Sequence, residues 1–201
     1  NAIKITNTKG SPGMSELLAA NLYEHYRKYL GAPIRADVFE PLEPGPKIQI
    51  LSYENVFEGC IAFTTFGASH YAKELGHRVE LFVVADDGFE HIPYILASLI
   101  FRAVEMRLDM RRGARIIGIE SVDTEFERRF AKNGIYFTLP FAVPDGFATV
   151  FSDGALVSVL HGIFVDREEF SLVGRIGVDA FEDRMEQAGI DPFAMSRTSF
   201  A

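Results

Sequence analysis

The sequence has no tryptophan, a single cysteine, and fewer basic than acidic residues: 20 Lys and Arg against 28 Asp and Glu. With only Cys60, the chain can build no internal disulfide framework, which fits a reducing cytoplasm. A net charge of −8 argues against a broad nucleic-acid footprint, which needs a basic face. No apolar run approaches the roughly 20 residues that cross a bilayer as a helix, and no signal peptide is visible, so no membrane partner is expected. The chain opens on Asn1-Ala2 rather than Met, which reads as trimming or an added remnant. There is no P-loop, no Gly-x-Gly-x-x-Gly, no paired Cys-x-x-Cys and no zincin motif. Cofactor enzymes usually carry one of these, so no cofactor is expected.

What is present suits one globular domain over residues 1–201. The 48% apolar and 24% charged contents are ordinary, and the 18 Phe predict a core of large flat side chains. Ser11-Pro12 is a helix-start signal, and Met14, Leu18, Leu22, His25, Tyr26 and Tyr29 recur at helical spacing until Gly31. Proline and glycine between Pro41 and Pro46 mark a turn. Strands are predicted over 47–53, 59–66 and 77–85, the last with cover on both faces along Leu81–Ala85. The strongest helical pattern runs from Ile92 to Leu108. A short strand over 115–119 and a charged helix over 123–132 follow. Residues 135–141 alternate as a half-buried strand. Ser152-Asp153-Gly154 between two β-rich runs, 147–151 and 155–165, predicts a hairpin. Residues 166–172 read as a turn and 178–187 as a helix. The fold class expected is α+β: a mostly antiparallel or mixed sheet packed with about three to four helices.

Several constellations invite chemistry. Gly67-Ala68-Ser69 matches the first half of a nucleophile elbow, but Tyr71 stands where the second glycine belongs. Ser69 with His70 is the tempting pair, and a strand-to-loop turn is the plainer reading. Glu74 and His77 have the Glu-x-x-His spacing, and with His70 form a loose metal set, interrupted by Gly76. Cys60 sits in an apolar strand pattern that favours an inert thiol over a nucleophile. His25 and His161 read as structural histidines. His91 with Asp86, Asp87 and Glu90 stands at a helix entrance, where acids suit the dipole. Arg107, Arg111, Arg112 and Arg115 follow the long helix, and cations at a helix C-terminus need no ligand. Phe137, Phe141, Phe147 and Phe151 read as core rather than as an exposed aromatic groove. The expectation is therefore no catalytic, cofactor-binding or metal-binding residue.

Two stretches resemble the suppressor-of-fused-like family. The first is Phe63-Thr-Thr-Phe66-Gly67-Ala-Ser69-His-Tyr71, followed by Arg78-Val-Glu80-Leu81-Phe82 and a helix over Pro93–Leu108. The second holds Phe164-Val-Asp-Arg-Glu168-Glu169-Phe170, Gly177-Val-Asp-Ala180-Phe181 and Gly189 through Asp191 to Arg197. The chain departs from the family pattern where a corner proline is missing in 163–166, and residues 1–58 match only in the position of helix and strands. The resemblance implies a stand-alone, bacterial-type, non-enzymatic domain that binds another protein, a toxin or a regulatory polypeptide, in the manner of an immunity protein. An acidic surface suits a basic partner, and an open sheet edge can accept an extended peptide. The competing reading is a small hydrolase using Ser69 or Cys60 with a nearby histidine.

Overall fold

The structure is a computed structural model that describes residues 16–152 and 154–201. The predicted helix start at Ser11-Pro12, Met14, and Asp153 of the hairpin turn lie outside the described residues. The described elements, in chain order, begin with helix α1 (Glu16–Leu30) and strands β1 (Arg35–Phe39), β2 (Ile48–Glu54), β3 (Ile61–Phe66) and β4 (Val79–Ala85). Helix α2 (Ile92–Glu105), strand β5 (Arg115–Ile117), helix α3 (Thr124–Phe130) and strand β6 (Gly134–Thr138) follow. The hairpin β7 (Thr149–Ser152) and β8 (Ala155–Val165) leads into helices α4 (Arg167–Ile176) and α5 (Val178–Gln187). The α+β class and mixed sheet match the expectation. The helix beyond the expected four is α4.

The eight described strands form one sheet: seven run in the order β1-β2-β3-β4-β8-β6-β5, and β7 joins it by pairing with β8. The β4–β8 pair is parallel and the other pairings are antiparallel. β8 is the longest strand and carries two partners along one edge. β7 pairs with its first half through Ala155–Ser158, and β6 with its second half through His161–Val165.

Helices cover both faces. α2 and α3 close one face over Ile50, Phe63, Val83, Phe137 and Phe164. On the other face α1 packs over Leu51, Tyr53, Phe82 and Val159, and α4 and α5 pack over Tyr136, Ile163 and Val165. A strand inside such a three-layer stack has no wet side. Hence β6, which alternation predicts to be half-buried, is buried at all five positions. Aromatic edges knit the layers, such as Phe82 against Phe147 at 5.0 Å and Phe126 against Phe164 at 5.1 Å.

Three local readings change. α2 ends at Glu105, so Arg107–Arg115 lies beyond the helix rather than in its last turn. Arg112 instead pairs with Asp179 and Glu182 of α5, and the Arg115 guanidinium lies 5.0 Å from the Phe170 ring. Asp166–Leu172 is not a turn but opens α4. Asp166 accepts from the backbone of Glu168 and Glu169 while Glu169 accepts from the Asp166 amide, a complete capping box. Phe151 is not core: it is 74% exposed, opposite the exposed Leu156 on the hairpin.

Candidate binding surface

The residues that carry the resemblance are fasteners. Glu80 is fully buried on β4, with no cation among its hydrogen-bond partners. Its carboxylate accepts from the amides of Gly67, Ala68 and Ser69 at 3.0–3.2 Å and from Thr65 Oγ1 at 2.5 Å. Three successive amides turned to one point form an anion nest. The nest requires Gly67, whose φ of 113° is left-handed and whose missing Cβ would lie 2.8 Å from the Lys47 carbonyl oxygen. Thr65 Oγ1 also accepts from Leu81 N at 2.8 Å, replacing a ladder bond where β3 and β4 separate. Ser69 is thus part of a cradle for a carboxylate and is 1% exposed, which closes it to a substrate. This is the strand-to-loop turn that the missing second glycine favours.

The other proposed chemistry is dispersed as well. Among the described residues, no group of three or more His, Cys, Asp and Glu side chains could hold a metal ion, so His70, Glu74 and His77 do not converge. Burial lowers the pKa of His70, partly opposed by the charge of Glu80. Cys60 is partly exposed rather than buried, yet burial and then Asp86 and Asp191 raise its thiol pKa, the reverse of nucleophile activation. Around the α2 entrance, His91 Nδ1 lies 2.7 Å from Asp123 Oδ2, Asp87 pairs with Arg129, and Asp86 accepts from the Met195 amide.

His25 bonds the Phe147 carbonyl at 3.0 Å, as a structural histidine should. His161 does not fit that pattern. It is fully buried against Phe82, Phe141 and Phe193, and neither ring nitrogen has a partner among the described residues. Burial alone lowers its pKa to about 3.

The second stretch holds the tail. Arg197 pairs with the buried Glu169 through both guanidinium nitrogens and donates to the Phe164 carbonyl at 2.9 Å. The buried Lys132 donates to the Arg197 carbonyl at 3.1 Å. Residues 193–197 are thereby clamped across the ends of β4, β8 and α4.

With those groups accounted for, the surface carries a groove of about 420 Å³. One wall is the turn 40–45 that follows edge strand β1, and the other is α2. Phe39 and Tyr94 meet at 6.3 Å and Tyr71 packs edge-on against Phe101 at 6.3 Å. Tyr71 Oη donates to the Pro46 carbonyl at 2.5 Å and fixes the turn. Leu42 at 99% and Tyr94 at 52% exposed make an apolar rim. Nothing local in the sequence pairs the turn with α2, which lies about 50 residues away, so the groove was not anticipated.

The chain matches the model of the suppressor of fused protein family over residues 44–198. No curated protein matches it in sequence. A suppressor of fused homolog from Neisseria gonorrhoeae shares the fold at a TM-score of 0.69 and 15% identity, covering 91% of this chain and 96% of that one. The crystal structure of a Sufu–Fu complex gives 0.60 and 12%, over 94% of this chain and 93% of that one. Drosophila Suppressor of Fused gives 0.61 and 13%, over 96% of this chain and 52% of that one. This chain therefore spans about half the length of the Drosophila structure. With the family model covering more than half its length, the chain belongs to the suppressor of fused protein family.

Proposed function

We propose that this member of the suppressor of fused family is a non-catalytic domain that binds another protein in the groove between α2 and the turn 40–45. The observation that carries the reading is the exposed apolar rim of Leu42 and Tyr94 over an aromatic floor, beside edge strand β1. Exposed apolar surface beside an open edge is the combination that captures extended polypeptide. The related Sufu structure solved as a complex with Fu supports a protein partner. The partner class we favour is a toxin, masked in the cytoplasm by an immunity-type complex, because an acidic chain of charge −8 is complementary to a basic target. The hydrolase reading gains no supporting observation: Ser69 is enclosed and the Cys60 thiol is raised rather than activated.

The test compares the wild type with the surface double variant Leu42→Asp/Tyr94→Asp. A partner captured from the source cells is purified and titrated against both. The reading expects the double variant to keep its circular dichroism spectrum and to bind about tenfold or more weakly, as loss of a central aromatic anchor does. Equal binding by the two proteins, or no partner under any condition, overturns it.

A further inference from the structure

The walls of the groove differ in charge from its floor. Glu43 on the turn and Glu105 at the last turn of α2 line the groove, both exposed and neither with an ion-pair or hydrogen-bond partner among the described residues. Glu40, also on the wall, is neutralised by Lys47 at 2.5 Å. The one cation in the lining, Arg102, is committed elsewhere. It donates to the Ile117 and Gly118 carbonyls at 2.9 and 3.2 Å and to Ser121 Oγ at 2.7 Å. The groove thus offers an aromatic floor and two carboxylates that lack a countercharge.

Length is set by α2. Tyr94, Phe101 and Glu105 share one side of the helix and all line the groove. At 1.5 Å per residue, the rise from Tyr94 to Glu105 is about 16 Å. That accommodates about five residues of extended chain at 3.3 Å each.

Resting on the docking reading above, we infer that the partner inserts an extended segment bearing apolar side chains followed by a lysine or arginine, and that Glu43 and Glu105 receive that cation. The apolar side chains sit between Tyr94 and Phe101, and the cation lies at the Glu105 end. A nucleic-acid strand is repelled by the same carboxylates. A second copy of this chain is disfavoured because two copies, each of charge −8, would bring two acidic grooves together.

The test uses three fluorescein-labelled synthetic peptides of about eight residues, matched in their apolar residues and carrying lysine, glutamine or glutamate at the charged position. Fluorescence anisotropy is read against the wild type, Glu43→Gln/Glu105→Gln and Leu42→Asp/Tyr94→Asp. The lysine peptide should bind the wild type roughly five- to tenfold more tightly than the glutamine peptide, the size expected of two exposed ion pairs. The glutamate peptide should bind more weakly still. The preference should shrink at high salt and vanish in the Glu→Gln double variant. The Leu42→Asp/Tyr94→Asp variant should lose all three peptides.

Equal binding of the three peptides to the wild type overturns the inference while leaving the docking reading intact. So does a purified natural partner that needs Leu42 and Tyr94 but is indifferent to Glu43 and Glu105. Concentration-dependent dimers that dissociate on Leu42→Asp/Tyr94→Asp would name a second copy as the occupant and overturn it as well. If the natural partner is unaffected by either double variant, the docking reading itself fails.

Discussion

Glu80 and Glu169 are both fully buried carboxylates, and the protein satisfies them by opposite means. Glu80 has no cation among its hydrogen-bond partners: three backbone amides and one hydroxyl hold it, and in return it holds the turn 67–69. Glu169 is matched charge for charge by Arg197, 28 residues away, and so ties the C-terminal tail to α4. The first device is local and depends on backbone conformation, above all at Gly67. The second is long-range and depends on two side chains. Both carry the resemblance to the family, and both perform structural work. His161 supplies a third case, a buried polar group with no hydrogen-bond partner among the described residues.

The comparison breaks most sharply at Glu80. Glu80→Ala strands three amides and a hydroxyl in the core, at about 1–3 kcal/mol for each unsatisfied group. Denaturant unfolding should show a loss of about 4–6 kcal/mol, or no folded protein. No single second substitution should rescue it, because three of the four partners are backbone amides. Arg197→Met should cost about 3–5 kcal/mol, the penalty of leaving Glu169 as a buried unpaired charge. Here rescue is expected. Adding Glu169→Met should recover most of the loss, short of about 1 kcal/mol for the broken capping box. Failure of that recovery would show that the pair is not the fastener described here.

His161 sharpens the contrast through pH. Burial depresses its folded-state pKa to about 3 from the ordinary 6.5. The unfolded chain therefore takes up the proton first as pH falls below about 6.5. Stability should be complete above that pH and decline by about 1.4 kcal/mol per pH unit between 6.5 and 3 on this account alone. His161→Phe should fold at neutral pH and lose that component of acid sensitivity, read as the difference between the two unfolding curves from pH 7 to 4. Parallel curves would mean that the imidazole finds a partner when it is charged.

Much of this fold was legible because its signals were local. β8 and α5 occupy the predicted spans, 155–165 and 178–187, and β7 and β8 pair antiparallel as the hairpin expectation requires. α4 was missed although Asp166 and Glu169 stand three apart, the spacing of a capping box. β1 was missed because its five residues form an edge with only partial burial and no clear alternation. The aromatic character of Phe151 alone points to the core, yet on the hairpin the side chain is 74% exposed. The Glu80 cradle, the Glu169–Arg197 pair and the groove all join residues distant in sequence. Motif spacing pointed to the residues of the first two without revealing their task, and gave no signal for the groove.

If the proposal is right, the partner lies along α2 beside the turn 40–45. The direct measurement is photocrosslinking, with a photoreactive phenylalanine placed at Tyr94 in one protein and at the more exposed Phe151 in another. Each is irradiated with the purified partner and the adduct mapped by mass spectrometry. Docking in the groove should give adducts from position 94 that Leu42→Asp suppresses, and none from position 151. Adducts from position 151 alone would contradict it.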